Sequence, residues 1–376
     1  MSEILERLYG VAADPIPYLR SWKAVGRKII GWVCTYVPEE LVHAAGMLPA
    51  RVFGDQTPLS LADHRLPPFM CTYVKEILES GLRGDYDFLD GIVFAYMCDP
   101  IKDLSDIWAR NVRPMPRENV VVPVKMNTAA TRDYFVGELE RFRARVEAIA
   151  GAPITPAALR ASIDVYNRHR AAFRRLYALR AERPEVVRVA DIWAILRSSM
   201  VMPKEEHTAL LEPLVDELAG VTRHDGKGRG PRLFVTGNLC DHPPLLGLIE
   251  ECGGVVVSDD LCTGTRYFDG PGIDPDAPNP LASIADFYLN KPACAVKCNY
   301  QIADRGEFIA ARARATGADG VIFLLVKFCS PQNFEYPLAR DVLRREGIPH
   351  ILLEYEWNER GSGQMQTRLS AFIETL

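Results

Sequence analysis

The chain has 376 residues, of which 48% are hydrophobic and 25% are charged, and its formal net charge is −5 at pH 7. This composition excludes a disordered chain, and the charge gives no indication of binding to nucleic acid or to an anionic membrane. No apolar run reaches the ~18 residues of a spanning helix, and the N-terminal sequence MSEILERLYG lacks the features of a signal peptide. We therefore expect a cytoplasmic, globular protein of two or three domains.

The first part of the chain, residues 1–130, alternates short apolar runs with stretches of helical period, which predicts an N-terminal α/β domain. This alternation is typical of a parallel sheet covered by helices on both faces. The first strand reads IIGWV, and the helix after it begins at Pro38 and stops at Gly46. The predicted strands are residues 29–33, 88–96 and 120–126, and the predicted helices are residues 38–46 and 68–82.

The middle of the chain, residues 131–220, consists of long, charged stretches with helical period and predicts a helical segment. A second α/β domain follows over residues 221–376. The predicted fold is therefore α/β, with two Rossmann-like parallel-sheet units and a helical insertion between them. In the second domain the predicted strands are residues 232–238, 254–260, 321–328 and 351–356, and the predicted helices are residues 243–254, 304–320 and 337–350.

Two nucleotide-binding motifs are excluded. The glycines of DGKGRGPRLFV precede a strand, whereas those of a dinucleotide fingerprint follow a strand and open a helix. The sequence also contains no GxxxxGK[ST] run. We therefore do not expect this chain to hydrolyse ATP through a P-loop.

Three of the nine cysteines stand at the C-terminal ends of predicted strands. Cys34, Cys98 and Cys329 each close an apolar run. In open parallel sheets these ends border the ligand crevice, and the turns after Cys34 and Cys329 lead towards helix N-termini, whose free amides favour a thiolate. An odd number of cysteines in a reducing compartment does not indicate disulfides. The pattern instead predicts that these three thiols meet.

Thiolates select zinc, Cu(I) or iron–sulfur clusters. The sequence has no CxxC pair of the kind that structural zinc sites use. Single cysteines at separate strand ends fit a [4Fe–4S] cluster built between domains better. The other interpretation is that each cysteine is a small residue buried at a strand end, and spacing alone leaves both open.

Further cysteines are weaker candidates. Cys71, near the start of a predicted helix, is a fourth candidate, either as a ligand or as part of the cavity wall. Cys294 and Cys298 of the segment CAVKC share one helical face, but no other ligand is nearby in sequence, which favours packing. Packing is also predicted for Cys240, Cys252 and Cys262.

Five stretches resemble the benzoyl-CoA reductase and 2-hydroxyacyl-CoA dehydratase family: CTYVPEELVHAAGMLPAR, FMCTYVKEILESGL, AYMCDPIKDLSDIW, LLVKFCSPQNFEYP and GQMQTRLSAFIE. They occur in order between Gly31 and Glu374. The resemblance implies tandem Rossmann-like domains, heterodimers of related subunits, and a [4Fe–4S] cluster held by three cysteines in each subunit. By motif these ligands are Cys34, Cys98 and Cys329. One departure is Ser330, where many relatives carry an acid.

The length of the chain resembles that of the smaller subunit, and CTYVPEE is most similar to benzoyl-CoA reductases. The implied function is that of an oxidoreductase subunit in an ATP-coupled, dearomatising acyl-CoA reductase, whose cluster passes low-potential electrons towards the thioester. The implied partners are a larger homologous subunit, a separate ATP-hydrolysing iron–sulfur activator, and an acyl-CoA substrate at or near the subunit interface.

Three other functions stay open. The resemblance also covers subunits of 2-hydroxyacyl-CoA dehydratases, which are lyases, and homodimeric double-cubane-cluster reductases that act on small molecules. Outside the family, the chain could be a metal-stabilised scaffold that binds a partner. Apolar residues beside the cysteines are expected either to keep water from a cluster or only to pack the strands. These residues are Trp32, Phe94, Tyr96 and Phe328.

Overall fold

The computed structural model describes residues 2–54, 58–221, 230–241, 243–297, 305–356 and 363–376. Within these residues, eight strands form two four-stranded sheets, and every strand pair is parallel. The predicted α/β fold with two Rossmann-like units is confirmed. No helix of the described part of the chain is long and apolar enough to cross a membrane.

The first sheet has the strand order β2-β1-β3-β4. The chain runs from β1 outwards to β2 and then returns to the other side of β1 to form β3. The order therefore reverses between β1 and β3, which is where open α/β sheets bind ligands. The strands are β1 (Ile29–Val33), β2 (Leu48–Arg51), β3 (Gly91–Tyr96) and β4 (Arg117–Val121).

The second sheet repeats this arrangement with the order β6-β5-β7-β8. Its reversal point lies between β5 and β7, and β7 is buried along its whole length, as expected for a central strand covered on both faces. The strands are β5 (Arg232–Gly237), β6 (Val255–Asp260), β7 (Gly320–Val326) and β8 (His350–Tyr355).

Helices cover both sheets, and α7 packs against α3, α9 and β6. Along the chain, helices α6 to α9 lie between the last strand of the first sheet and the first strand of the second sheet. The boundaries of the three predicted units stay a prediction. The described helices are α1 (Glu3–Ala13), α2 (Pro15–Ala24), α3 (Glu39–Ala44), α4 (Thr72–Leu82), α5 (Asp99–Asn111), α6 (Ala129–Ala150), α7 (Pro156–Glu182), α8 (Val189–Ser199), α9 (Lys204–Gly220), α10 (Pro243–Glu251), α11 (Thr265–Phe268), α12 (Pro280–Asn290), α13 (Arg305–Ala315), α14 (Ser330–Arg345) and α15 (Gly363–Ile373).

Proline accounts for several differences from the predicted elements. The strand predicted over residues 120–126 ends at Val121, because Pro123 cannot donate a ladder hydrogen bond. Strand β2, LPAR, was not predicted, since it is short and contains a proline that only an edge strand accepts. Pro38 is the N-cap of α3 and not its first helical residue. Pro337, the predicted start of a helix, lies inside α14.

Two histidines are buried together where α7 packs on α9. His169 Nε2 lies 3.2 Å from His207 Nδ1, and His207 Nε2 lies 3.0 Å from the carbonyl oxygen of Ile195. Burial, followed by the charge of Lys204, lowers the pKa of His207 to about 3. Burial and the neighbouring His207 also lower the pKa of His169 well below its usual value. Both rings are therefore neutral in the folded chain at neutral pH.

We expect the free energy of unfolding to fall as the pH drops below about 6.5. Both histidines bind protons on unfolding in this range, so their contribution is complete above the unfolded pKa and is lost towards the folded value. Urea unfolding at several pH values between about 7.5 and 5 measures the slope of the free energy of unfolding against pH. The variant His169→Gln/His207→Gln should have a shallower slope, and equal slopes for parent and variant would contradict the assignment.

Candidate functional site

The first two candidate cysteines lie at the reversal point of the first sheet. Cys34 directly follows β1, and Cys98 lies just beyond β3 as the N-cap of α5. Because β1 and β3 are hydrogen-bonded neighbours, both residues border the same crevice at the C-terminal edge of the sheet.

Cys329 occupies the corresponding place in the second sheet. It follows β7 and is the N-cap of α14, next to the end of β5. Burial raises the pKa of Cys329 to about 11, while the amide of Gln332 and the side chain of Asn238, the residue after β5, act in the opposite direction.

Electrostatic effects of the thiols on one another place six cysteines from both sheets in one neighbourhood, which we term the thiol chamber. Burial and then the charges of Cys71, Cys34 and Cys294 raise the pKa of Cys98. Burial and the charge of Cys294 likewise raise the pKa of Cys34. Such effects act only over short distances, so they indicate that thiols far apart in sequence lie near one another. The chamber contains Cys34, Cys71, Cys98, Cys262, Cys294 and Cys329, which are six of the eight cysteines in the described residues.

Cys262 and Cys294 form a pair within the chamber that the sequence interpretation assigned to packing. Both do contact the hydrophobic core, but their thiols also hydrogen-bond to each other. Arg266 Nη1 lies 3.7 Å from the Sγ atom of Cys262. The hydrogen bond from Cys294 and the charge of Arg266 lower the pKa of Cys262 to about 7. Cys262 is therefore partly a thiolate at neutral pH.

The remaining described cysteines lie outside the chamber. Cys240 is buried in the hydrophobic core, and the Sγ atom of Cys252 lies 3.9 Å from the carbonyl oxygen of Gln366. Both environments are those of packed cysteines. Cys298, the second thiol of CAVKC, lies outside the described residues.

Backbone amides favour the charged form of the thiols that precede helices. Cys71, Cys98 and Cys329 are the N-caps of α4, α5 and α14, and none makes a formal cap hydrogen bond. An amide two or three residues further on nevertheless favours the thiolate in each case, as at Cys34. The amide and thiol pairs are Tyr36 and Cys34, Val74 and Cys71, Ile101 and Cys98, and Gln332 and Cys329.

The backbone is strained at the chamber. Among the described residues, only Cys34 (φ +80°) and Phe328 (φ +65°) are non-glycine residues at positive φ. This left-handed region is unfavourable for a side chain with a Cβ atom, and such strain tends to occur at functional sites. Cys34 and Phe328, the residue before Cys329, thus adopt an unfavourable backbone conformation just beyond the C-terminal ends of β1 and β7.

The donor set suits a cluster better than a single metal ion. Among the residues the structure describes, no three His, Cys, Asp or Glu side chains are close enough to hold one metal ion. A [4Fe–4S] cluster has a different requirement, because each cysteine binds its own iron at a separate corner. Buried thiols with raised pKa values release their protons when metal binds. Thiols that lie around a shared space, without converging on the position of a single metal ion, meet this requirement.

A cavity of about 710 Å³ opens beside Cys98. Its wall includes Met70 from the segment before α4, Val296 from the Cys294 loop, and Phe334 from α14. Several apolar side chains at this mouth are exposed to solvent, and Phe334 is 81% exposed. The cavity leads from the protein surface to one edge of the thiol chamber.

Known proteins resemble this chain over almost its whole length. The family model described as 2-hydroxyglutaryl-CoA dehydratase, D-component, matches residues 34–376, which begin at the first cysteine of the chamber. The chain belongs to this D-component family. The prediction of family membership from the sequence motifs is therefore confirmed.

Three relatives of the D-component family match over almost their whole length. The (R)-phenyllactyl-CoA dehydratase beta subunit of Clostridium sporogenes is 30% identical, with 97% of this chain and 96% of the relative covered. The lactoyl-CoA dehydratase subunit beta of Anaerotignum propionicum is 31% identical, covering 99% and 98%. A benzoyl-CoA reductase subunit of Thauera aromatica is 32% identical, covering 92% and 90%. The chain is thus similar to subunits of both dehydratases and reductases.

Proposed function

We propose that this chain is the iron–sulfur subunit of an ATP-coupled acyl-CoA reductase of the benzoyl-CoA reductase type, with Cys34, Cys98 and Cys329 as ligands of a [4Fe–4S] cluster. The proposal is supported by the placement of Cys34 and Cys98 at the reversal point of the first sheet and of Cys329 at that of the second, and by the electrostatic effect of Cys294 on each of the three. When bound, such a cluster supplies a one-electron centre whose potential depends on charge, hydrogen bonds to sulfur and solvent exposure. We expect the enzyme to work in the cytoplasm.

The chain's own residues control two of these factors. Trp32 and Phe94 are buried in the strands that precede Cys34 and Cys98; Trp32 lies beside Arg51, and Phe94 packs against Trp108 of α5. The amides at the helix starts favour charged sulfur. Phe328 is 46% exposed and lies on the cavity wall, so it borders the opening and does not seal it.

The cavity mouth also supports a partner at this face. Exposed apolar side chains that cluster in one place mark interaction surfaces more often than scattered ones do. We propose that the larger homologous subunit covers this mouth and that the acyl-CoA binds at or near the resulting interface. The exposed side chains on the cavity wall are Phe69, Val124, Phe328, Phe334 and Leu338.

A dehydratase function is supported equally by the relatives. Two of the three relatives described above are named as dehydratase beta subunits, and the (R)-2-hydroxyglutaryl-CoA dehydratase subunit beta of Acidaminococcus fermentans is 31% identical. A 2-hydroxyacyl-CoA dehydratase is a lyase, without net oxidation or reduction of its substrate. The thiol chamber and its apolar walls suit both reactions.

Substrate assays distinguish the reductase from the dehydratase. The chain is purified anaerobically with its partner subunit and supplied with ATP and the iron–sulfur activator. The proposal predicts ATP-dependent reduction of benzoyl-CoA and no activity when the activator is omitted, because no P-loop occurs in this sequence. Dehydration of 2-hydroxyacyl-CoA esters without benzoyl-CoA reduction would identify a dehydratase. ATP-driven turnover by this chain alone would contradict the need for an activator.

A double-cubane-cluster reductase is a third candidate, because the chamber contains more thiols than one cluster requires. Cys34, Cys98 and Cys329 form one set of three, while Cys71, Cys262 and Cys294 offer a second set in the same space. One [4Fe–4S] cluster takes at most about four cysteines. Six thiols are enough to hold a larger cluster assembly.

The double-cubane-cluster reductase predicts a different set of iron ligands and a different iron content. If Cys262 and Cys294 are ligands, the variants Cys262→Ala and Cys294→Ala should lose iron, and the parent should form homodimers with about eight irons per chain. If one cluster is bound by the first set, both variants should keep the parent's iron, about four per chain. Iron and sulfide analysis with native mass determination separates the two outcomes.

A further inference from the structure

The chain buries eight Lys and Arg side chains among its described residues, and most of them are neutralised by carboxylates. Lys204 Nζ lies 3.0 Å from Glu39, for example, and Arg266 Nε lies 2.8 Å from Asp260. Ion pairs to Asp or Glu likewise neutralise Lys75, Arg170 and Arg180. This pairing is expected, because an isolated buried charge is strongly unfavourable.

Three buried cations make no ion pair with a carboxylate of the described residues: Arg51, Lys291 and Lys297. All three adjoin the thiol chamber. Lys291 Nζ donates to the carbonyl oxygen of Thr35, the residue after Cys34, at 2.8 Å. Arg51 donates to the hydroxyl of Tyr73, close to Cys71, at 3.2 Å.

Lys297 approaches the chamber from the Cys294 loop. Its Nζ atom donates to the carbonyl oxygens of Val122 and Pro123 at 2.7 and 2.9 Å. Burial lowers the pKa of both Lys291 and Lys297 to about 8, and negative charge on Cys34 opposes this lowering in each case. Metal-bound thiolates at these positions would therefore stabilise the protonated lysines.

Carbonyl oxygens and aromatic rings only partly compensate these charges. Lys291 Nζ lies 4.7 Å from the ring centroid of Tyr36 and 5.3 Å from that of Tyr288, and the Arg51 guanidinium lies 5.3 Å from that of Trp32. Such contacts supply partial negative charge but no anion. An anion in the chamber would supply the counter-charge that no directly paired carboxylate of the described residues provides.

We propose that Arg51, Lys291 and Lys297 are counter-cations for the anionic, thiolate-bound cluster of the chamber, and that they set its reduction potential. This inference rests on the proposed function. Positive charge in a poorly screened site stabilises the more negative, reduced state of a cluster. The three residues are positioning residues, because their charge acts on the cluster through space and through the segments that hold its ligands.

The test removes the positive charge of each lysine and keeps a side chain of similar size. The variants Lys291→Met and Lys297→Met are compared with the charge-keeping variants Lys291→Arg and Lys297→Arg. Lys28→Met is the control, because Lys28 Nζ also donates to two carbonyl oxygens, at 2.8 and 3.0 Å, but at an exposed position away from the thiols. The readouts are iron per chain and the midpoint potential from an EPR-monitored redox titration, with each protein purified anaerobically.

We expect each Met variant at Lys291 or Lys297 to shift the potential to more negative values or to lose iron, while the Arg variants and Lys28→Met behave like the parent. Parent-like potential and iron content in the Met variants would overturn the inference, and so would equal iron loss in the Met and Arg variants. A parent without iron would instead overturn the proposed function itself.

Discussion

Replacing Cys34, Cys98 or Cys329 by alanine should remove most of the iron from the anaerobically purified protein. Each replacement leaves two of the three thiolates that the family motifs and the strand ends select. Metal binding contributes folding free energy to its own site, so the loss should be far larger than the effect of trimming a packed side chain. Iron per chain measures the result directly, and bleaching of the brown colour reports it independently.

Cys252→Ala is the matched control, because its thiol lies outside the chamber, packs against the hydrophobic core and is 3.9 Å from the carbonyl oxygen of Gln366. It should keep the parent's iron and lose on the order of 1 kcal/mol of stability. Cys71→Ala tests the fourth candidate. If the three alanine variants at Cys34, Cys98 and Cys329 keep the parent's iron, these thiols do not hold a cluster. If Cys71→Ala loses iron while Cys34→Ala keeps it, the ligand from the N-terminal region is Cys71 and not Cys34.

Arg170→Met should be among the most destabilising single substitutions outside the chamber. Arg170 forms a buried ion pair with Glu40, which is fully buried and also accepts a hydrogen bond from the Tyr288 hydroxyl at 2.9 Å. Removing the guanidinium leaves a buried carboxylate with too few partners, which costs about 3–5 kcal/mol. Anaerobic urea unfolding of parent and variant measures this loss.

The double variant Arg170→Met/Glu40→Gln should recover much of the lost stability, because it removes both buried charges. Arg168→Met is the control on the same helix, since Arg168 pairs with Glu212 at the surface and its removal should change the stability little. A loss for Arg170→Met no larger than that for Arg168→Met would contradict the account. Glu40 lies on α3, directly after the Cys34 turn, so this ion pair also holds that turn in place.

Strand-end cysteines could be found from the sequence because apolar runs reveal buried parallel strands. Cys262 obeys the same rule, since it lies just beyond β6, yet it was interpreted as a packing residue. Cys294 follows α12, a helix that the sequence did not reveal, so its approach to Cys262 depends on tertiary packing. A consistent application of the strand-end rule would have selected Cys262, but no local signal selects Cys294.

The charges around the chamber could not be predicted from sequence at all. Whether a lysine has a carboxylate partner depends on residues far away in the chain, as with Lys204 and Glu39. Lys291 and Lys297 differ from Lys204 only in what the fold places around them. Whether Lys291 and Lys297 have carboxylate partners is therefore known only from the folded chain.

The most direct test of the central claim is the iron and acid-labile sulfide content of the parent protein, purified and analysed without oxygen. We expect a brown protein with at least about four irons and a similar amount of sulfide per chain. A colourless protein with stoichiometric zinc, or with no metal, would contradict an iron–sulfur cluster at Cys34, Cys98 and Cys329.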